Sequence, residues 1–468
     1  MEAALKLEPA GQQQMEEQPS KKKHPPGLYL LFFTELWERF SYYGMRALLT
    51  LYLTTALVSG GLGFKESTAV SIYGFYTGFC YFTPLIGGYL TDRFIGRRVA
   101  ITIGGIIMAL GNFALFAEHS KWGLYLGLLL LIIGNGFFKP NISTLVGELY
   151  EEHDKRRDAA FTIFYMGINV GAFFAPLVCG YLAEDYFKTT VNGIVQYGFK
   201  YGFLAACIGM IIGQLLFNLL GDRYLGDIGK VSAGTSAKKK MSGSTAKTPL
   251  TKKEKQRTAV IVILTCFVIF FWAGFEQAGS SLTIYTEKFV NRHAFGWDVP
   301  TSWFQSLNPL FIILLAPMIS ALWVKLSNSK KGDLKIPTKM GLGMILLGLG
   351  YMVLLLAVMR TGSDEQHIIM KANMLFIVFT YFFHTVGELF LSPVGLSMVS
   401  KLAPVRYASL LMGVWLLSTF VANILGGQLA SFTQSLGYFE IFSLIGFMAM
   451  GLGVILLLIS NKLTKMME

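Results

Sequence analysis

The chain has 468 residues, of which 53% are hydrophobic and only 15% charged, with a mean hydropathy of +0.52. Soluble domains carry about a quarter charged residues, so this composition argues against a soluble enzyme, a disordered chain and a disulfide scaffold. The net charge of +12, from 40 Lys+Arg against 28 Asp+Glu, alone suggests nucleic acid, but it also fits basic loops joining long apolar helices.

Residues 1–27 contain no apolar core and no small-residue cleavage site, so they are not a secretory signal. They read as a disordered cytoplasmic arm ending in a basic anchor at Lys21, Lys22, Lys23 and His24. Beyond them, apolar stretches of bilayer-spanning length, about 20 residues each, recur near 28–57, 67–91, 98–117, 122–147, 158–184 and 200–220. They resume near 258–288, 302–326, 339–359, 371–400, 407–435 and 438–461. The reading is an all-α polytopic membrane protein: a six-helix bundle over 28–221, a linker over 222–257, a second bundle over 258–461 and a tail over 462–468. The linker is rich in Lys, Ser, Thr and Gly and has no apolar face to bury. Cys80, Cys179, Cys207 and Cys266 all fall in apolar stretches without metal-ligand spacing and read as packing residues.

Orientation follows from the bases. With the N-terminus inside, 29 of the 40 Lys and Arg fall on the cytoplasmic side, 8 outside and 3 within spans. Both termini are therefore expected in the cytoplasm. Twelve helices in two sixes resemble the major facilitator transporters, whose halves are parallel repeats with substrate bound between them at mid-membrane. The segment Gly87-Gly88-Tyr89-Leu90-Thr91-Asp92-Arg93-Phe94-Ile95-Gly96-Arg97-Arg98 resembles that superfamily's loop signature between helices 2 and 3, with one residue inserted.

Charges inside a bilayer cost about 2.5–3.5 kcal/mol each on insertion scales, so those retained face a cavity or a partner. Seven occur: Glu35, Glu38, Arg39 and Arg46 in helix 1, Lys139 in helix 4, Glu276 in helix 7 and Glu388 in helix 10. Under a parallel repeat, helix 1 corresponds to helix 7 and helix 4 to helix 10. At roughly 100° per residue, Glu35, Glu38, Arg39, Tyr42, Tyr43 and Arg46 form one polar stripe. Four acids against three bases leave one carboxylate without a cation, and such a group can exchange a proton near neutral pH. Lys139-Pro140-Asn141 places a lysine before a helix-bending proline. Phe164-Tyr165-Met166-Gly167-Ile168-Asn169-Val170-Gly171 sets an amide among small residues suited to close packing.

Glu35-Leu36-Trp37-Glu38-Arg39-Phe40-Ser41-Tyr42-Tyr43-Gly44 resembles the ExxER(F)xYYG motif of the proton-dependent oligopeptide transporter family. The segments at 139–141 and 164–171, with Trp272-Ala273-Gly274-Phe275-Glu276-Gln277, resemble its other signatures. The resemblance implies a proton-coupled symporter that imports di- and tripeptides by alternating access, not an enzyme. It needs no cofactor beyond a proton gradient, has no nucleic-acid partner and acts as a monomer in the plasma membrane, a bacterial inner membrane being favoured by the lean loops. It also implies proton coupling by Glu35, Glu38, Arg39 and Glu276, and gating pairs Arg46–Glu276 outside and Lys139–Glu388 inside. The peptide carboxylate would lie by Arg46 and Lys139, and its amino group by Glu388 and Asn308, near Asn169. Tyr42, Tyr43, Tyr81, Trp272, Ser392 and Trp415 match pocket positions of the family.

The sequence departs from some members. It has no room for two extra helices between the halves or for a large extracellular domain after helix 9, and Ala172 stands where serine is frequent. His384, one turn before Glu388, is a candidate for proton handling or for packing. The same fold carrying nitrate or another small anion is the alternative; a non-transporting membrane receptor is the alternative of a different class. No nucleophile–base spacing, metal set or phosphate loop supports an intramembrane enzyme.

Overall fold

The computed structural model describes residues 23–467 apart from 152–153, 155, 231–250, 295, 330–331, 363–367, 369 and 405–406. The arm before residue 23 and most of the linker lie outside the described residues. Twelve long helical spans account for most of the rest. In the first half these are α1 (Pro26–Thr54), α2 (Glu66–Leu90), α3 (Arg97–Ala117), α4 (Lys121–Glu148), α5 (Arg157–Tyr181) and α6 (Phe199–Leu225). The second half has α7 (Lys252–Phe289), α8 (Thr301–Ser327), α9 (Ile336–Thr361), α10 (Leu375–Leu402), α11 (Ala408–Ser431) and α12 (Tyr438–Met467). Ten of the twelve are long and apolar enough to cross a membrane by length and composition. The two outside that set are α1, which carries four buried or half-buried charges, and α2, which is rich in Gly, Tyr, Ser and Thr.

Local chemistry sets the helix ends. Thr251 caps α7 in a reciprocal capping box with Glu254, so this helix starts inside the segment expected to be linker. Pro337 occupies the first turn of α9, where its missing N–H is harmless. Gly96, at φ +81°, turns the chain between α2 and α3 in a conformation that favours glycine. Beside that turn, Arg97 pairs with Asp92 at 3.1 Å and with Glu148, and Arg98 pairs with Asp222 at 3.0 Å. The α12 helix runs on to Met467, through the residues expected as a tail.

The packing repeats from one half to the other. In the first half α1 lies against α5 and α6, α3 against α4 and α6, and α2 against α4. In the second, α7 lies against α11 and α12, α9 against α10 and α12, and α8 against α10. A shift of six helices converts one set into the other, as parallel repeats require. The halves meet along two corresponding seams, α2 with α11 and α5 with α8.

The α2–α11 seam depends on glycine. A Cβ on Gly74 would stand 2.8 Å from both Asn423 O and the Gly427 Cα, so only hydrogen there lets the backbones approach. The outward surface is apolar, with Leu219, Leu458 and Phe447 at least 60% exposed; so extensive an exposed apolar surface suits a lipid rather than an aqueous surround. Cys80, Cys179 and Cys207 are buried packing residues, whereas Cys266 is exposed on α7, so packing does not account for the fourth cysteine.

Short strands decorate the end remote from both termini, which is the outer end under the orientation expected from the bases. Thr189–Val191 pairs antiparallel with Ile194–Gln196. Val290–Asn291 pairs in parallel with Ala372–Asn373, and His293–Ala294 pairs antiparallel with Trp297–Asp298.

Candidate functional site: a charged cavity between the halves

The polar stripe of α1 divides into two groups. Toward the inner end, Glu35, Glu38 and Arg39 are all buried. Arg39 Nη2 donates to Glu38 Oε1 at 2.6 Å, Arg39 Nε also bonds Glu38 Oε2, and the same Nε lies 3.2 Å from Glu35 Oε1. Glu35 Oε2 is buried with no hydrogen-bond partner. The guanidinium is thus committed chiefly to Glu38, and Glu35 holds only one edge of it. These three residues lie outside the lining of the central cavity described next.

Two turns further out, Arg46 forms an ion pair with Glu276 across the two halves and donates from Nε to the Tyr73 hydroxyl. Its guanidinium carbon also lies 5.7 Å from the Tyr43 ring centroid. Glu276 is placed there by a break in α7: the helix Lys252–Phe275 passes through a 3₁₀ turn, Glu276–Gly279, into Ser281–Phe289. Thr50 donates to the Gly279 carbonyl at 2.6 Å. A Cβ on Gly279 would stand 1.7 Å from the Tyr73 hydroxyl, so the turn fits against α2 only with glycine at that position.

Below this pair lies a cavity of about 380 Å³, large enough for a small molecule. Of the residues singled out from sequence, Tyr43, Arg46, Tyr81, Lys139, Asn169, Trp272, Glu276, Asn308, Glu388 and Ser392 line it. Pro140, one residue on from Lys139, removes the helix donor for Gly136 O, and that carbonyl packs on Gly87 with no space for a Cβ. The bases and acids come from opposite halves, Arg46 and Lys139 against Glu276 and Glu388.

Two expected pocket residues do not line this cavity. Tyr42 is buried against Tyr76 on α2, ring centroids 6.4 Å apart, with the Arg39 guanidinium 5.2 Å from its ring. Trp415 packs on Gly395, where a Cβ would stand 2.1 Å from the indole. In both cases a neighbouring helix covers the face that sequence periodicity directs inward.

The expected inner pair is not made either. Among the described residues no ion pair joins Lys139 to Glu388. Lys139 Nζ instead sits 4.0 Å from the Tyr81 ring centroid, a cation–π distance, and Glu388 accepts from Asn308 Nδ2 at 2.8 Å. The physical reason is which end of the bundle is shut. The hydrogen bonds and ion pairs that join the halves gather at the outer end. Lys288 pairs with Glu66 at 2.6 Å, the Thr301 and Ser302 amides bond Glu184, Trp303 Nε1 donates to Leu177 O at 3.0 Å, and Ser306 Oγ donates to Phe173 O at 2.8 Å. Helices drawn together at one end leave α4 and α10 apart at the other.

The cavity also contains residues outside the sequence expectation, among them Tyr165, Phe275, Gln305, Tyr381 and Thr419. Two of these carried a signal: Tyr165 lies one turn before Asn169 and Tyr381 two turns before Glu388, on the same helix faces. His384 lies outside this lining, its ring tilted against those of Tyr351 and Phe275 with centroids 4.9 and 6.4 Å away, and its Nε2 is buried and unpartnered.

Two six-helix repeats around a charged cavity closed at one end define a multi-pass membrane transporter of the major facilitator fold. The sequence profile of the POT family matches residues 98–230 and 225–441. The chain is 35% identical to an uncharacterized transporter of Bacillus subtilis, YclF, with 95% of each chain covered. It is 32% identical to a di-/tripeptide transporter of Lactococcus lactis subsp. cremoris, covering 95% of this chain and 96% of that one. A solved glutamate-to-glutamine variant of a peptide transporter POT in complex with alafosfalin superposes with a TM-score of 0.84 at 34% identity, over 95% and 96% of the two chains. A POT family transporter in complex with 5-aminolevulinic acid gives 0.83 at 31% identity, over 94% and 97%. The chain belongs to the POT family, a family of transporters rather than enzymes.

Proposed function

We propose that this protein is a proton-coupled symporter that imports di- and tripeptides by alternating access, using the proton gradient without a further cofactor. The observation that carries the reading is the distribution of charge in one cavity: Arg46 and Lys139 from one half, Glu388 with Asn308 from the other. A zwitterion needs cations for its carboxylate and a carboxylate for its ammonium, and the separation between the two limits peptide length. Tyr43, Tyr81 and Trp272 add contact area that tolerates many side chains.

Proton coupling is assigned to Glu35, Glu38, Arg39 and Glu276. Glu35, bound along one edge and otherwise unpartnered, can lose its charge without dismantling the Arg39–Glu38 pair. Glu276 couples because a proton on it would release Arg46 and with it the outer contact. The distribution of bases supports cytoplasmic termini in a plasma membrane, and a cavity formed within one chain supports action as a monomer.

The test is dialanine uptake into proteoliposomes with an inward proton gradient. Concentrative uptake, abolished by Glu276→Gln while exchange of preloaded peptide persists, is the expected result. Uptake indifferent to the gradient, or nitrate carried in preference to dialanine, overturns the reading.

A further inference from the structure

Glu184 is a carboxylate outside the charged cavity, in the turn Leu182–Tyr186 at the outer end of α5. It is only 7% exposed. Its two oxygens accept the first amides of α8, Thr301 N–H at 2.7 Å and Ser302 N–H at 3.1 Å. A side chain of the first half thus caps a helix of the second, at a helix N-terminus where an anion is favoured.

The charges around it do not balance. Thr301, whose amide holds Glu184, gives its hydroxyl to Glu287 at the end of α7. Arg292, the base at this corner, pairs with Glu287 at 2.9 Å, and among the described residues no Lys or Arg lies at ion-pair distance from Glu184. Asp185 adds an acid on the same turn, occupied by Trp297 Nε1 at 3.1 Å. Tyr197 comes from the segment before α6, and His293 pairs with Asp298 in the outer loop at 2.9 Å. A buried acid beside a second acid that already holds the local base has amide donors but no paired cation when ionised. Ser302 Oγ, on the residue whose amide already holds Glu184, is buried without a hydrogen-bond partner, so it is an acceptor open to a carboxylic O–H.

We propose that Glu184 is a second proton-binding site of the outer mouth, separate from Glu276. A proton taken from the external water onto the carboxylate gives a neutral acid that keeps its amide donors, offers its O–H to Ser302 Oγ and fastens α8 to α5. Loss of that proton leaves a charged Glu184 near Glu287, which keeps Arg292 to itself, and frees the mouth to open. The neutral acid fits the closed mouth and the hydrated carboxylate the open one. The inference rests on the transport reading only in that alternating access requires this mouth to open.

The experiment places spin labels at Thr190→Cys and Ser435→Cys, one on each half at the outer end, in a Cys266→Ser, Glu276→Gln parent that removes the opposing acid release of Arg46, and measures their separation in liposomes without peptide. In the parent protein a long-distance population is expected at alkaline pH and its loss at acid pH. In Glu184→Gln the short distance persists at both. Glu287→Gln, which frees Arg292 for Glu184, reduces the alkaline population, and it decides the matter if Glu184→Gln does not fold. An alkaline opening unchanged by either substitution, or a parent distance that ignores pH, overturns the proposal. Because no peptide is present, failure of peptide uptake leaves this result standing.

Discussion

Lys139 and Glu388 line the same cavity and form no ion pair, while Arg46 and Glu276 at its outer rim are joined. Each unpaired charge is therefore available to a ligand. A charge-assisted hydrogen bond contributes about 1.5–3 kcal/mol, so Lys139→Ala and Glu388→Ala should each raise the KM for dialanine about tenfold or more. Exchange kinetics in proteoliposomes, with stability checked separately, measure this. Unchanged KM values would remove both residues from the binding site.

Breaking the Arg46–Glu276 pair from either side leaves a buried charge, a loss of about 3–5 kcal/mol where such pairs are fully enclosed. Arg46→Ala should therefore unlatch the outer end and abolish transport, and Arg46→Lys should not restore it, because lysine cannot serve Glu276 and the Tyr73 hydroxyl with one rigid fork. Accessibility of a cysteine at Ser306, buried at the outer α5–α8 contact, to a membrane-impermeant thiol reagent reports the unlatching.

The two acids of the inner group should behave differently. Glu38 is held at both oxygens by Arg39, whereas Glu35 is held along one edge. Glu38→Gln should lower the melting temperature in detergent by several degrees. Glu35→Gln should leave it within about two degrees while abolishing gradient-driven uptake. A Glu35→Gln protein that still concentrates peptide would exclude that residue from coupling.

Gly74→Val tests the glycine seam. A Cβ there meets Asn423 O and Gly427 Cα at 2.8 Å, backbone atoms that cannot rotate away. Overpacking of this kind costs about 1–3 kcal/mol, visible as a lowered melting temperature. Gly413→Ala, on the same α11 but with open space around its Cβ position, should be neutral.

The helices were legible in sequence to within about a turn at most ends, since unbroken apolar runs leave little freedom once a bilayer must be crossed. The charged stripe of α1 was legible too, because periodicity fixes which residues share a face. Periodicity does not say which neighbour covers that face, so the burial of Tyr42 under Tyr76 and of Trp415 on Gly395 depends on tertiary packing. The break in α7 also depends on partners distant in sequence, Thr50 and Tyr73. Glu184 sits at the limit of a span without a motif around it, and its partners Thr301 and Ser302 lie over a hundred residues away.

The interruption of α7 also has a mechanical consequence. A continuous helix resists bending because every turn is tied to the next, but between Phe275 and Ser281 that tie is already replaced by a 3₁₀ turn and by side chains of other helices. The outer nine residues, Ser281–Phe289, are therefore a short lever on a soft joint. Under the proposed alternating access, a tilt of these residues with Lys252–Phe275 fixed in its half would let the mouth above the cavity yield locally, without the whole six-helix body having to rotate first.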